Sequence, residues 1–201
     1  MTPFEIITAP MKVYIAPIGE AFPDIDAAPA GNWELLGTNG DRSYEESGVT
    51  VSHSKSYDKV RTAGATGPVK STLREEDMMV RLTLLDLTLE QYKNALNGNT
   101  VTTVAAGSGT AGSKKIGLSQ SVGRTREFAL LVRGQSPYDE TMNAQYEVPR
   151  CYDSGSAEPV FRKGGSGAAL ALELTALEDL SASSEEERFG RFVAQHQDAL
   201  P

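Results

Sequence analysis

Few groups in this chain could do chemistry, and their spacing decides what each could do. Residues 107–112, Gly-Ser-Gly-Thr-Ala-Gly, match the G-x-G-x-x-G pattern that cradles a pyrophosphate when a helix follows it. Here the strand-like Ser113-Lys114-Lys115-Ile116 follows, so no helix N-terminus is expected to hold an anion, and the segment reads as a flexible connector. His53 and His196 are the only histidines and Cys151 is the only cysteine. None of them has a second ligand at metal-binding spacing. A cysteine nucleophile would need a base brought to it through space, so Cys151 is expected to be a partly buried structural thiol. Two acidic clusters remain, Glu45-Glu46 and Glu75-Glu76-Asp77. Paired carboxylates do acid–base work when their surroundings push their pKa values apart, and neither cluster lies in an apolar run that would do so. Solvated strand ends or an interface are the expected settings. No catalytic residue, metal or cofactor is expected, and an enzyme is disfavoured.

Composition bounds the alternatives. The 201 residues suffice for one domain with a real core, expected over residues 1–179, followed by a short C-terminal arm over 180–201. Net charge is −8, of which −4 falls in residues 178–201 and −4 in the rest. A mildly acidic body argues against sequence-specific nucleic-acid binding, which needs basic surface to neutralise phosphates. The single cysteine excludes an intrachain disulfide framework and fits a reducing compartment. The N-terminal stretch has one base, Lys12, and prolines interrupt its apolar run, so neither a signal peptide nor a membrane span is expected there.

The elements that must position these residues are mostly strands. Residues 11–18 and 32–37 read as short strands, joined by a Pro/Ala-rich loop. Val49, Val51 and His53 alternate with Thr50, Ser52 and Ser54, and Met78, Val80, Leu82 and Leu84 alternate with Met79, Arg81, Thr83 and Leu85, the period of two that places one set of side chains on each face of a strand. If the chain reverses within residues 62–68, antiparallel pairing sets Val49 opposite Val80, Val51 opposite Met78, His53 opposite Glu76 and Lys55 opposite Arg74. The hairpin then starts with a buried face and turns polar on both faces toward its tip. Thr88 and Gln91 stand at capping-box spacing before a Leu89, Tyr92, Leu96 stripe that stops at Asn97-Gly98, which predicts one helix. Further strands are expected at 99–106, 115–120, 126–134, 144–152, 158–163 and 167–179. Ser184 and Glu187, again at capping-box spacing, precede Phe189, Phe192, Val193, His196 and Leu200, which predicts a short amphipathic helix in the arm. Many short strands around one helix indicate a β-sandwich or barrel.

A strand, a long polar excursion, a returning strand ending in an Asp86-Leu87-Thr88 step and one short helix closing at Asn97-Gly98 make up residues 48–98. This order resembles the central region of the tail tube proteins (major tail proteins) of long-tailed bacteriophages. The resemblance implies a mainly β, sandwich or barrel-like tail tube fold with one flanking helix and a protruding hairpin loop, to which the sequence pattern adds the C-terminal helical arm. It further implies hexameric rings, in which two hairpins per subunit join into a continuous inner β-barrel and the rings stack into the conduit for DNA ejection. Its partners would be other copies of itself, the tape measure protein and viral genomic DNA in the lumen, and tail terminator and baseplate proteins at the ends. No membrane is involved, and the location would be the virion tail, assembled in the host cytoplasm. Residues 55–74 carry five bases against Asp58 alone. Lys55, Tyr57, Asp58, Lys59, Arg61, Lys70 and Arg74 are therefore the candidate inter-ring or inter-subunit contacts, drawn to acidic surface on a neighbour. Glu45, Glu46, Glu75, Glu76 and Asp77 are the candidate acidic receptor or lumen surface. Phe189, Phe192 and Val193 are candidates for packing of the arm. The alternatives are another ring-forming tail component, a terminator or baseplate ring, or a non-viral β-sandwich binding module that recognises one acidic partner.

Overall fold

A computed structural model describes residues 6–120, 122–159, 161 and 167–196. The fold is mainly β and antiparallel, as expected. Its strands are β1 (Lys12–Ala16), β2 (Glu34–Leu35), β3 (Tyr44–Val60), β4 (Lys70–Leu84), β5 (Val101–Val104), β6 (Ser113–Ile116), β7 (Phe128–Gln135), β8 (Asn143–Asp153), β9 (Leu170–Ala176) and β10 (Arg191–Ala194), with one helix, α1 (Leu89–Ala95). The main sheet runs β2-β1-β7-β8-β9-β4-β3, and β10 adds to β8. The far edge of β8 is shared: Ala144 to Glu147 pair with β10, whereas Cys151 to Asp153 pair with β9.

The alternating residues of this sheet converge on one core. Val13 and Ile15 of β1, Val80, Leu82 and Leu84 of β4, Phe128, Leu130 and Val132 of β7, and Leu170, Leu172 and Leu174 of β9 belong to a single buried cluster. Strands from both ends of the sheet can share a core only if the sheet curls, as twisted antiparallel sheets do. Tyr44 ties the curl together. Its hydroxyl donates to the Leu36 carbonyl (2.9 Å) and accepts from the Val13 N–H (3.1 Å), bridging the start of β3 to β1. Each fully buried Leu contributes about 2 kcal/mol.

β7 is buried on both faces, which explains its unbroken apolar run. Ala129 and Leu131 face a second cluster with Trp33, covered by the loop between β1 and β2. Arg133 holds that loop, donating to the carbonyls of Asp24 (3.0 Å), Ile25 and Ala27. The capped helix is as expected: Thr88 Oγ1 accepts the Gln91 N–H, and Asn97 (φ 56°) and Gly98 (φ 76°) end it, with Gly98 N–H donating to Lys93 O (2.8 Å).

Three expectations are corrected. Over residues 49–56 the β3–β4 register is offset by two residues from the predicted one, with Val49 opposite Leu82, Val51 opposite Val80, His53 opposite Met78 and Lys55 opposite Glu76, and beyond the shift at Ser56/Tyr57 it is offset by one. An even shift keeps every side chain on its face, so the hydrophobic pattern fixes only the parity. The C-terminal arm is not an amphipathic helix: its described part is a 3-10 turn, Glu185–Glu187, followed by β10. Gly190 adopts φ +112°, outside helical space, and the open upper edge of β8 takes the segment as a strand. Ser184 makes no capping bond, and Glu187 instead accepts from Ser183 Oγ (2.7 Å). Leu200 lies outside the described residues. The strand expected at 158–163 lies partly outside them too, and Glu158, Pro159 and Phe161 are not in a strand.

Candidate functional site

The β3–β4 hairpin is the most prominent feature of the molecule. At about 3.3 Å per residue, its 15-residue return strand is roughly 50 Å long. Its base is core: Met78, Val80, Leu82 and Leu84 are buried. Beyond Met78 the side chains are exposed or half-exposed, so the hairpin stands out as a two-stranded arm roughly 25 Å long. Val69 N–H donates to Val60 O (2.9 Å), which closes the arm over the loop at 61–69.

Lys55, Tyr57, Asp58 and Lys59 lie on the outgoing strand of the arm, Lys70 and Arg74 on the returning one, and Arg61 at its loop. Arg74 is the extra residue of a bulge, since Ser56 pairs with Glu75 and Tyr57 with Leu73. Its guanidinium reaches Asp58 (4.0 Å) and Glu75 (3.5 Å), exposed pairs of small energetic weight. Lys59, Arg61 and Lys70 make no ion pair among the described residues. The arm tip therefore presents uncompensated positive charge.

The two acidic clusters are placed apart. Glu75, Glu76 and Asp77 are on the arm itself, Glu76 directly across from Lys55 and Asp77 across from Ser54. Glu45 and Glu46 are at the other end of β3. There Tyr44 pairs with Leu84 and Val49 with Leu82, so residues 45–48 bulge out of the ladder against one residue of β4. Gly48 permits this with φ +68°. Neither glutamate makes an ion pair among the described residues. A positive tip and a negative base are thus separated by the length of β3.

Two features go beyond the expected contacts. Tyr57, a contact candidate, sits opposite Leu73, which is not one, both half exposed, with Val60 and Val69 exposed toward the tip. Isolated apolar letters in a polar stretch were the only signal. The second is the outer edge of β3, which pairs with no strand among the described residues along its 17 residues. A long open edge offers a row of backbone donors and acceptors to another chain.

The arm-packing candidates are set by β10. The Phe192 ring stacks on Tyr146 (4.3 Å between centroids), Val193 is half-buried, and Phe189 packs against the main core. Arg191 Nε donates to Glu147 (2.6 Å), whose side chain is 5% exposed, and this bond raises the Arg191 pKa.

The chemical candidates are scattered. Gly107 and Thr110 exchange two backbone bonds (3.0 and 3.1 Å), so residues 107–112 form the turn of the β5–β6 hairpin. Cys151 is fully buried, its thiol donating to Phe128 O (3.3 Å) and pushed well up in pKa by desolvation. His53 is exposed on the hairpin, and His196 lies against Tyr138 (5.1 Å). A cleft of about 420 Å³ opens between residues 26–29 and the β7–β8 turn. Of its two bases, Arg133 is committed to loop carbonyls and Lys12 pairs with Asp41 (3.7 Å).

No protein-family model and no curated protein matches the sequence.

Proposed function

We propose that the chain is a structural virion protein that self-assembles into stacked hexameric rings, the tail tube of a long-tailed phage and the conduit for its DNA. The β3–β4 arm carries this reading: an isolated two-stranded ribbon is marginally stable in water, yet here it extends far beyond the core with an open edge and exposed Tyr57 and Leu73. Such a ribbon gains its packing from other subunits. The open β3 edge would pair within a ring, because barrel closure removes the unpaired edge. The basic tip would meet the Glu45-Glu46 bulge of the next ring, a head-to-tail contact that does not close on itself and so propagates. The tape measure protein and DNA would occupy the lumen, and terminator and baseplate proteins the ends.

Negative-stain microscopy of concentrated protein tests this. Tubes of uniform width are expected; single closed rings would instead indicate a terminator or baseplate part. Deleting residues 61–67 should leave a folded protein that forms no tubes. Particles that stay monomeric in every salt condition would refute self-assembly, and unimpaired tube growth by the deletion variant would refute the role of the arm tip.

A further inference from the structure

A second part of the chain combines fixed placement with unsatisfied surface. Residues 91–126 contain Lys93, Lys114, Lys115, Arg124 and Arg126 and no acid, in a chain of net charge −8. Strands β5 and β6 of this segment form a two-stranded sheet separate from the main one. The base of the segment is clamped: Asn97 Nδ2 donates to Arg124 O (2.5 Å), and its Oδ1 accepts from Arg126 N–H. Asn99 Nδ2 donates to Gly117 O (2.6 Å) and Ser119 O (3.0 Å), and Lys114 pairs with Glu90 (2.5 Å) on α1. The segment buries little of its apolar surface: Val104, beside the hairpin turn, is 54% exposed, and in the connection that follows β6 Leu118 is 68% exposed and Val122 fully exposed. Lys115 and Arg124 make no ion pair among the described residues. This surface is held in position and, among the described residues, is covered by nothing of its own chain.

A matching surface of opposite sign lies between β9 and β10. Residues 178–187 hold Glu178, Asp179, Glu185, Glu186 and Glu187 and no base. Leu180 projects from this turn, 76% exposed. Arg188 compensates Glu178 (2.7 Å) and Glu185 (3.4 Å), which leaves the turn strongly negative. No ion pair joins the two segments among the described residues, so their complementarity is not spent within the subunit. Exposed apolar centres rimmed by opposite charges are suited to one another, and on separate parts of one chain they make a heterologous contact. We infer that the β5–β6 hairpin of one subunit, together with the connection that follows it, docks on the acidic 178–187 turn of a second copy, with Val104 and Leu118 against Leu180, and Lys115 and Arg124 against the carboxylates. This contact rests on the self-assembly reading and gives it an interface independent of the arm.

Sedimentation velocity of the full chain over a dilution series at low salt tests it. The Lys115→Glu/Arg124→Glu double variant changes only exposed side chains, so it should keep the wild-type circular dichroism spectrum while its self-association weakens by about tenfold or more. Leu118→Ser should weaken association with no change in its salt dependence. Adding Glu185→Lys/Glu186→Lys to the hairpin double variant should restore most of the lost affinity, a rescue that general damage to the fold would not give. Wild-type association by the hairpin double variant, or no recovery in the combined variant, would overturn the contact. If those results appear while the 61–67 deletion still abolishes tubes, only this contact fails. A wild type that never associates removes the assembly reading and the contact together.

Discussion

Asp153 shows how much a single position owes to distant partners. It sits at the end of β8 beside β9, and its Oδ1 accepts N–H bonds from Gly155 and Glu173, each 3.1 Å. Burial nevertheless pushes the carboxyl above the ordinary value of 3.8, outweighing the lowering by those two bonds. The native state therefore holds this proton more tightly than the unfolded chain does. The contribution of Asp153 to stability is fullest below pH 3.8 and declines as pH rises through the higher native value. Asp153→Asn retains the acceptor oxygen and cannot ionise, so this part of the decline should vanish. Urea midpoints measured upward from pH 3.8 should show a flatter profile for the variant; a profile parallel to that of wild type would contradict the assignment. The sequence shows Asp153 only as a polar residue after a strand. Likewise, nothing near Arg133 indicates that its guanidinium serves carbonyls more than a hundred positions away.

Elements were more legible than residues where the pattern was local. The period-two runs of β4, β7 and β9 and the Thr88 cap of α1 depend on near neighbours, and their signals survive into the structure. The β3–β4 register depends on two bulges, at residues 45–48 and at Arg74, which alternation cannot announce. The C-terminal segment failed for a further reason: Phe189 and Val193 are spaced for a helical face, but the vacant stretch of the β8 edge outcompetes that local preference. Gly190 is the hinge of this outcome. A Cβ there would lie 2.0 Å from the Glu147 carbonyl oxygen, at a φ of +112° that side chains avoid. Gly190→Ala should therefore detach β10 while sparing the core. In hydrogen exchange, Arg191–Ala194 should lose protection by about tenfold or more, with Leu170–Ala176 unchanged. Full protection of β10 in the variant would mean that the close approach does not control docking.

At the scale of the whole molecule, charge is distributed along the length of β3, positive at the arm tip and negative at the 45–48 bulge. Contacts built on such a gradient weaken as the screening length shrinks from about 10 Å at 0.1 M salt to about 3 Å at 1 M. Light scattering should show assembly slowing steeply with salt. Lys59→Glu/Arg61→Glu/Lys70→Glu should block assembly, and mixing with Glu45→Lys/Glu46→Lys protein should restore growth through the swapped pair. Assembly indifferent to both salt and charge reversal would rule out this pairing of tip and base. The bulge carries a geometric consequence as well. Because residues 45–48 leave the ladder, a strand adding to the outer edge of β3 finds evenly spaced partners only from residue 49 toward residue 60. The bulge would act as an end stop: it would give an incoming strand one place to begin, so copies joining along this edge would each sit level with the last.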